Sequence, residues 1–147
     1  MGLLSRLTAK STPPRQMSDD ALLLHAMLLM CGADGAFDQE EIATVEAYFA
    51  QLPEFRGKQF SDVYNEAIKI LRKYPDLKAS VQSLGSLSTQ GMKKKCYVLA
   101  ADIAMSSGDV DENEDAMLES MQRVMQIDDD FATKALEILA VKYQPAE

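Results

Sequence analysis

From Ser18 onward, stretches with apolar residues at helical spacing are separated by short breaks of glycine, proline or acidic side chains. Ser18 is a good N-cap, and the run Asp19–Gly32 is apolar on nearly every face, as a helix at the centre of a bundle should be. Gly35 breaks the chain, after which Ile42, Val45, Phe49 and Leu52 predict a second helix that stops at Pro53. Ser61 can cap a third helix carrying Val63, Ala67, Ile70 and Leu71, which ends near Tyr74-Pro75. A short fourth helix is expected over Leu77–Leu84, closed by Gly85. The fifth starts near Ser88 or Thr89, aligns Met92, Cys96, Leu99, Ala100 and Ile103, and stops at Ser107-Gly108. Asp111 opens the sixth, with Met117, Leu118, Met121, Val124 and Met125 on one face; Asp128 or Asp129 caps the seventh, which buries Phe131, Ala135, Leu136, Leu139 and Tyr143. No segment alternates with period two, so the expected fold is all-α: one bundle of about seven helices.

Pairing positions 73 apart exposes an internal repeat: Gly35 meets Gly108, Asp38 meets Asp111, Glu41 meets Glu114, Ala43 meets Ala116 and Glu46 meets Glu119. The identities cluster at the breaks, so the bundle should contain two pseudo-repeated units of helix, acidic turn and helix. The copies are unequal, because Asp34 becomes Ser107 and Ile42 becomes Asp115.

A length of 147 residues is that of one domain with a real core. Residues 1–17 hold a short apolar patch (Leu3, Leu4, Leu7) and Ser-Thr-Pro-Pro, and read as a mobile arm before a domain over 18–147. The 15 basic against 23 acidic residues give a net charge of −8, which excludes a nucleic-acid-binding role. No apolar stretch is long enough to span a bilayer and the start lacks a signal-peptide layout, so a soluble, cytoplasmic protein is expected, with attachment to the inner membrane at most peripheral. Met1-Gly2 is not a myristoylation signal, since Arg6 stands where Ser or Thr is needed. Cys31 and Cys96 match no metal or CxxC spacing and are expected as reduced core residues. No enzyme is expected: the one histidine, His25, lies among leucines and reads as a satisfied core residue.

The chemistry of the chain is concentrated in the two acidic turns. Asp38-x-x-Glu41 and Asp111-x-x-Glu114 have the spacing of capping boxes, which satisfy two orphan amides and need no ligand. Each turn nevertheless holds more acid than a cap requires. The candidate metal ligands are therefore Asp34, Asp38 and Glu41 in the first turn, and Asp109, Asp111 and Glu114 in the second. Oxygen donors alone favour calcium, magnesium or manganese over zinc or copper. Neither loop is an EF-hand, because counting from Asp109 puts Glu114 at the obligatory glycine and Ser120 at the bidentate glutamate. Capping and cation binding are both open at this point, and they can coexist.

Outside the turns, Lys93-Lys94-Lys95 could receive an acidic partner or a phosphate, against the plainer expectation of a solvated face. The Met117, Met121, Met125 stripe reads as core rather than as a pliable groove. Asp102 sits at the edge of a buried stripe and either pairs with a lysine, leans toward the second acidic turn, or is exposed.

The segment Cys31-Gly-Ala-Asp-Gly-Ala-Phe-Asp-Gln-Glu-Glu-Ile42, echoed in degenerate form by Met105-Ser-Ser-Gly-Asp-Val-Asp-Glu-Asn-Glu-Asp115, resembles the TerB-like family associated with tellurite resistance. A related domain occurs in membrane-anchored DnaJ-like co-chaperones. The resemblance covers roughly residues 18 to 143. It implies an all-helical domain, a non-enzymatic cytoplasmic role in a stress-response system, acidic turns that take a divalent cation, and contact with TerC-like membrane or TerD-like cytoplasmic proteins. Asp34, Asp38 and Glu41 match the first family motif and Asp111 and Glu114 the second, where Ser107 departs from the family aspartate. The alternative is an adaptor whose turns are only caps and whose contacts are the three lysines or the Leu3-Leu4-Leu7 arm.

Overall fold

The computed structural model describes residues 18–32, 38–74, 76–106, 108 and 110–145. These form seven α-helices: α1 (Asp19–Cys31), α2 (Gln39–Gln51), α3 (Phe60–Lys73), α4 (Leu77–Gln82), α5 (Gln90–Ser106), α6 (Glu112–Val124) and α7 (Asp129–Lys142). Two 3-10 turns, Pro53–Phe55 and Ser83–Ser86, join α2 to α3 and extend α4. There is no strand among the described residues, and the fold is an all-α, single-domain bundle.

Helix α1 is the axis of the bundle. Every residue from Ala21 to Met30 is buried, and the helix packs on α3, α5 and α2. A one-sided helix would lie on the surface; one apolar all round is stable only when surrounded. The side chains that surround it include Val45 and Phe49 from α2, Val63, Ala67 and Ile70 from α3, and Cys96, Ala100 and Ala104 from α5. Helix α6 packs on α4 and α5, and α7 on α5. The methionine stripe belongs to this core, with Met117, Met121 and Met125 all buried.

Six of the seven helices start where a capping side chain is available, two of them, α2 and α6, with the aspartates of the acidic turns. Ser18 accepts from the Ala21 amide at 3.1 Å, Asp76 from Ala79 at 2.8 Å, Thr89 from Met92 at 3.0 Å and Asp128 from Phe131 at 2.7 Å. Two sequence expectations need correction. Helix α3 begins at Phe60 with Gln59 before it and no side-chain cap, not at Ser61. Its start is set by packing, since the Phe60 ring stands edge-on to Phe49 at 5.3 Å. Pro53 ends α2, but the chain turns once more so that Phe55 is buried and stacked on Phe49 with ring centroids 4.4 Å apart. The fourth helix tightens into a 3-10 turn from Ser83 rather than running as α-helix to Leu84. The arm over 1–17 lies outside the described residues.

A polar cluster built on the buried Asp102 fastens the far end of α7. Asp102 is only 8% exposed; its carboxylate accepts from the Lys142 ammonium at 2.9 and 3.1 Å and from the Tyr143 hydroxyl, and that hydroxyl lies 3.2 Å from the Tyr48 hydroxyl of α2. Of the alternatives open from sequence, the lysine pair is the one that forms, with a partner 40 residues away. Burial, followed by the Tyr143 hydrogen bond and the Asp102 charge, pushes the Tyr48 hydroxyl well above the ordinary tyrosine range.

Candidate functional site: two acidic helix caps at one thiol

Both acidic turns open helices with the same local structure. At α2, the Asp38 Oδ1 accepts from the Glu41 amide at 2.8 Å and the Glu41 carboxylate accepts from the Asp38 amide at 3.3 Å. At α6, Asp111 Oδ1 accepts from the Glu114 amide at 2.8 Å and Glu114 accepts from the Asp111 amide at 3.1 Å. Each box gives two orphan amides an acceptor and sets negative charge at the positive end of a helix dipole. Gly108, just before the second box, takes φ +91°, a conformation that glycine adopts without the steric cost other residues meet. Asp34, Gly35, Ser107 and Asp109 lie outside the described residues.

Charges from both boxes reach the thiol at the C-terminal end of α1. The Cys31 thiol donates to the Glu41 backbone carbonyl at 3.8 Å. Burial, and then the charges of Glu41, Glu114 and Asp38, push that thiol up to about 12. One thiol therefore senses carboxylates from both turns, although Glu41 and Glu114 stand 73 positions apart. Cys31 was expected in the core and is instead only half-buried at this edge, while Cys96 is fully buried and its thiol is pushed up to about 12 by burial alone. Neither is poised as a nucleophile. Burial, with the Asp111 charge behind it, raises the Glu114 carboxyl above its ordinary range, and the Asp111 amide works in the opposite direction.

Among the described residues, no three His, Cys, Asp or Glu side chains come together as a metal-holding group. Each box carboxylate has already committed one oxygen to an amide. The described donors alone therefore fit a pair of caps, and a complete cation site calls on Asp34 and Asp109 as well.

The lysine cluster is partly absorbed by the fold. Lys95 pairs with Glu54, at 2.6 Å to one carboxylate oxygen, and the Lys94 ammonium lies 5.1 Å from the centre of the Phe131 ring. Lys93 is half-buried at the start of α5. Two of the three proposed contact groups are thus already engaged, with partners that sequence spacing could not reveal.

Capping makes a quantitative prediction. Asp38→Ala and Asp111→Ala should each lower stability by about 1 kcal/mol in urea unfolding, whereas Asp→Asn at the same positions should cost much less, since asparagine caps nearly as well. Equal losses from Ala and Asn would show that the charge, not the cap, carries the effect.

The described residues form an all-α bundle in which a complete aspartate–glutamate capping box opens two of the helices, α2 and α6. The family model for tellurite resistance protein TerB matches residues 21–136, and the chain belongs to that family. No significant match was found among curated proteins or among solved structures. No helix of the described residues is long and apolar enough to cross a membrane.

Proposed function

We propose that this chain is a non-enzymatic cytoplasmic binding module of a tellurite-resistance-type stress response, and that its two acidic turns together take a divalent cation. What supports this reading is that the charges of Glu41 and Asp38 from the first turn and of Glu114 from the second all act on the Cys31 thiol, beside which Glu41 is held by a hydrogen bond. Two capping boxes at opposite ends of a bundle would give no such concentration of charge. Oxygen donors favour calcium, magnesium or manganese. The second oxygens of Asp38 and Asp111 take no hydrogen bond among the described residues, and Asp34 and Asp109 are the further donors this reading calls on. Loaded or empty, the acidic edge is the surface offered to partners, which in this family would be TerC-like membrane or TerD-like cytoplasmic proteins.

A second reading, an adaptor whose turns are only caps, is favoured by the completeness of both boxes. Calorimetric titration with calcium, magnesium, manganese and zinc separates the two. Binding of one of the first three, weakened about tenfold or more in Asp34→Asn and in Asp38→Asn, is the expected result. Asn at 38 keeps the cap and removes the charge, so the loss would report ligation and not unfolding. No binding heat with any of the four ions leaves the caps as the whole account of these residues.

A further inference from the structure

A groove of about 420 Å³ runs between α4 and α6. Its floor is apolar, with Val81 and Met117 buried and Val124 half-buried beneath it. Leu77, one of the few large apolar residues left exposed, stands at its edge. The volume lies within the range of small-molecule sites, about 300–1,000 Å³.

The charge on its walls inverts that of the protein. The chain carries 23 acidic residues and a net charge of −8, yet the described residues lining this groove include Lys78 on one wall, Arg123 on the other, and no carboxylate. Neither cation has an ion-pair partner among the described residues, whereas Lys58, Lys95 and Lys142 do. Arg123 makes only a long 3.5 Å contact to the Ser120 hydroxyl and keeps the rest of its fork available. Its place in the last turn of α6 suits the helix dipole but does not require a lysine opposite.

We propose that this groove binds the chain of an aliphatic monocarboxylate, with Lys78 and Arg123 holding its head group. An apolar floor with cations at two walls matches an amphiphile whose single anionic end is fixed by charge-assisted hydrogen bonds. A single charge is specified by the rest of the molecule. Every additional negative charge on a ligand would be repelled by a protein of this net charge, which disfavours an acidic peptide, a nucleic acid or an anionic lipid surface. The inference does not depend on the cation reading above.

The test is calorimetric titration of the full chain with octanoate, octan-1-ol and octyl phosphate, each below its aggregation limit, with thermal unfolding to confirm that every variant is folded. Octanoate should saturate one site, bind more tightly than the other two, and raise the melting temperature. Ala116→Phe, placed at an exposed lining position, should abolish binding by filling the groove. Lys78→Gln with Arg123→Gln should weaken octanoate about tenfold or more and leave octan-1-ol unchanged. The proposal is overturned by absence of a saturable site, by wild-type affinity in folded Ala116→Phe, or by indifference of octanoate to loss of both cations. Tighter binding of octyl phosphate overturns the single-charge specificity. An acidic amphipathic peptide that binds and is blocked by Ala116→Phe, where octanoate fails, identifies the groove as a protein-docking site instead.

Discussion

Between pH 6.5 and pH 4 the folded state is expected to lose about 3 kcal/mol through a single residue, His25, over and above what its carboxylates lose. The ring is 0% exposed. Nε2 lies 3.0 Å from the Ser80 hydroxyl and 3.3 Å from the Ser80 carbonyl, and Nδ1 is buried without a partner among the described residues. A proton on Nε2 can donate to the Ser80 carbonyl, and Nδ1 is then a bare acceptor. Charging the ring would add a second N–H with no acceptor among the described residues. Burial therefore lowers the ring from 6.5 to about 4, with the Ser80 hydrogen bond opposing. The sign follows directly: below pH 6.5 the unfolded chain takes up a proton that the folded chain refuses until about pH 4, so stability is whole above 6.5 and falls as pH falls through that window. Urea unfolding of the native chain and of His25→Gln at pH 7, 6, 5 and 4.5 measures the effect as a difference in slope. Parallel pH profiles for the two chains would remove His25 from the account. The sequence places this histidine in the core as a satisfied residue, and among the described residues only Nε2 finds a partner.

The second large effect is expected from Leu28→Ala. Leu28 is 1% exposed and sits in the helix that α2, α3 and α5 enclose. With neighbours on every side fixed by their own packing, the site cannot collapse around the void, and a loss of about 3 to 5 kcal/mol follows. Ile138→Ala deletes a comparable side chain from α7, but Ile138 is 69% exposed, and a change within about 0.5 kcal/mol is expected. Denaturant midpoints for the two variants test the contrast. A small loss at position 28 would mean that the helices around α1 can close in.

What could be read from the residues was whatever depends on neighbours in sequence. Ser18, Asp38, Asp111 and Asp128 announce helix starts because the groups they satisfy lie three residues on. The continuous apolar run at Ala21–Met30 announces a surrounded helix for the same reason. Hidden were the features set by partners far along the chain. The α3 start at Phe60 depends on the ring of Phe49, the burial of Asp102 on Lys142 and Tyr143, and the engagement of Lys95 on Glu54. No spacing rule links these pairs. The capping boxes were legible individually, but the action of both on Cys31 was not, since it depends on how α2 and α6 are arranged about the end of α1. The α4–α6 groove left no trace at all, because Lys78 and Arg123 belong to different helices and each looks like an ordinary surface charge.

Enclosure of α1 on every side also governs how the molecule opens. Its amides cannot be reached by peeling away one neighbour, because every residue from Ala21 to Met30 is buried and α2, α3 and α5 all pack on the helix. Hydrogen exchange there should wait for the whole bundle to come apart, so that the slowest amides of Leu23 to Met30 share one free energy equal to that of global unfolding. Amides near the start of α6, an outer helix, should exchange through cheaper, local fraying. A ligand that gathers the two acidic caps would then slow exchange at the edge of the protein and leave the rate order within α1 unaltered.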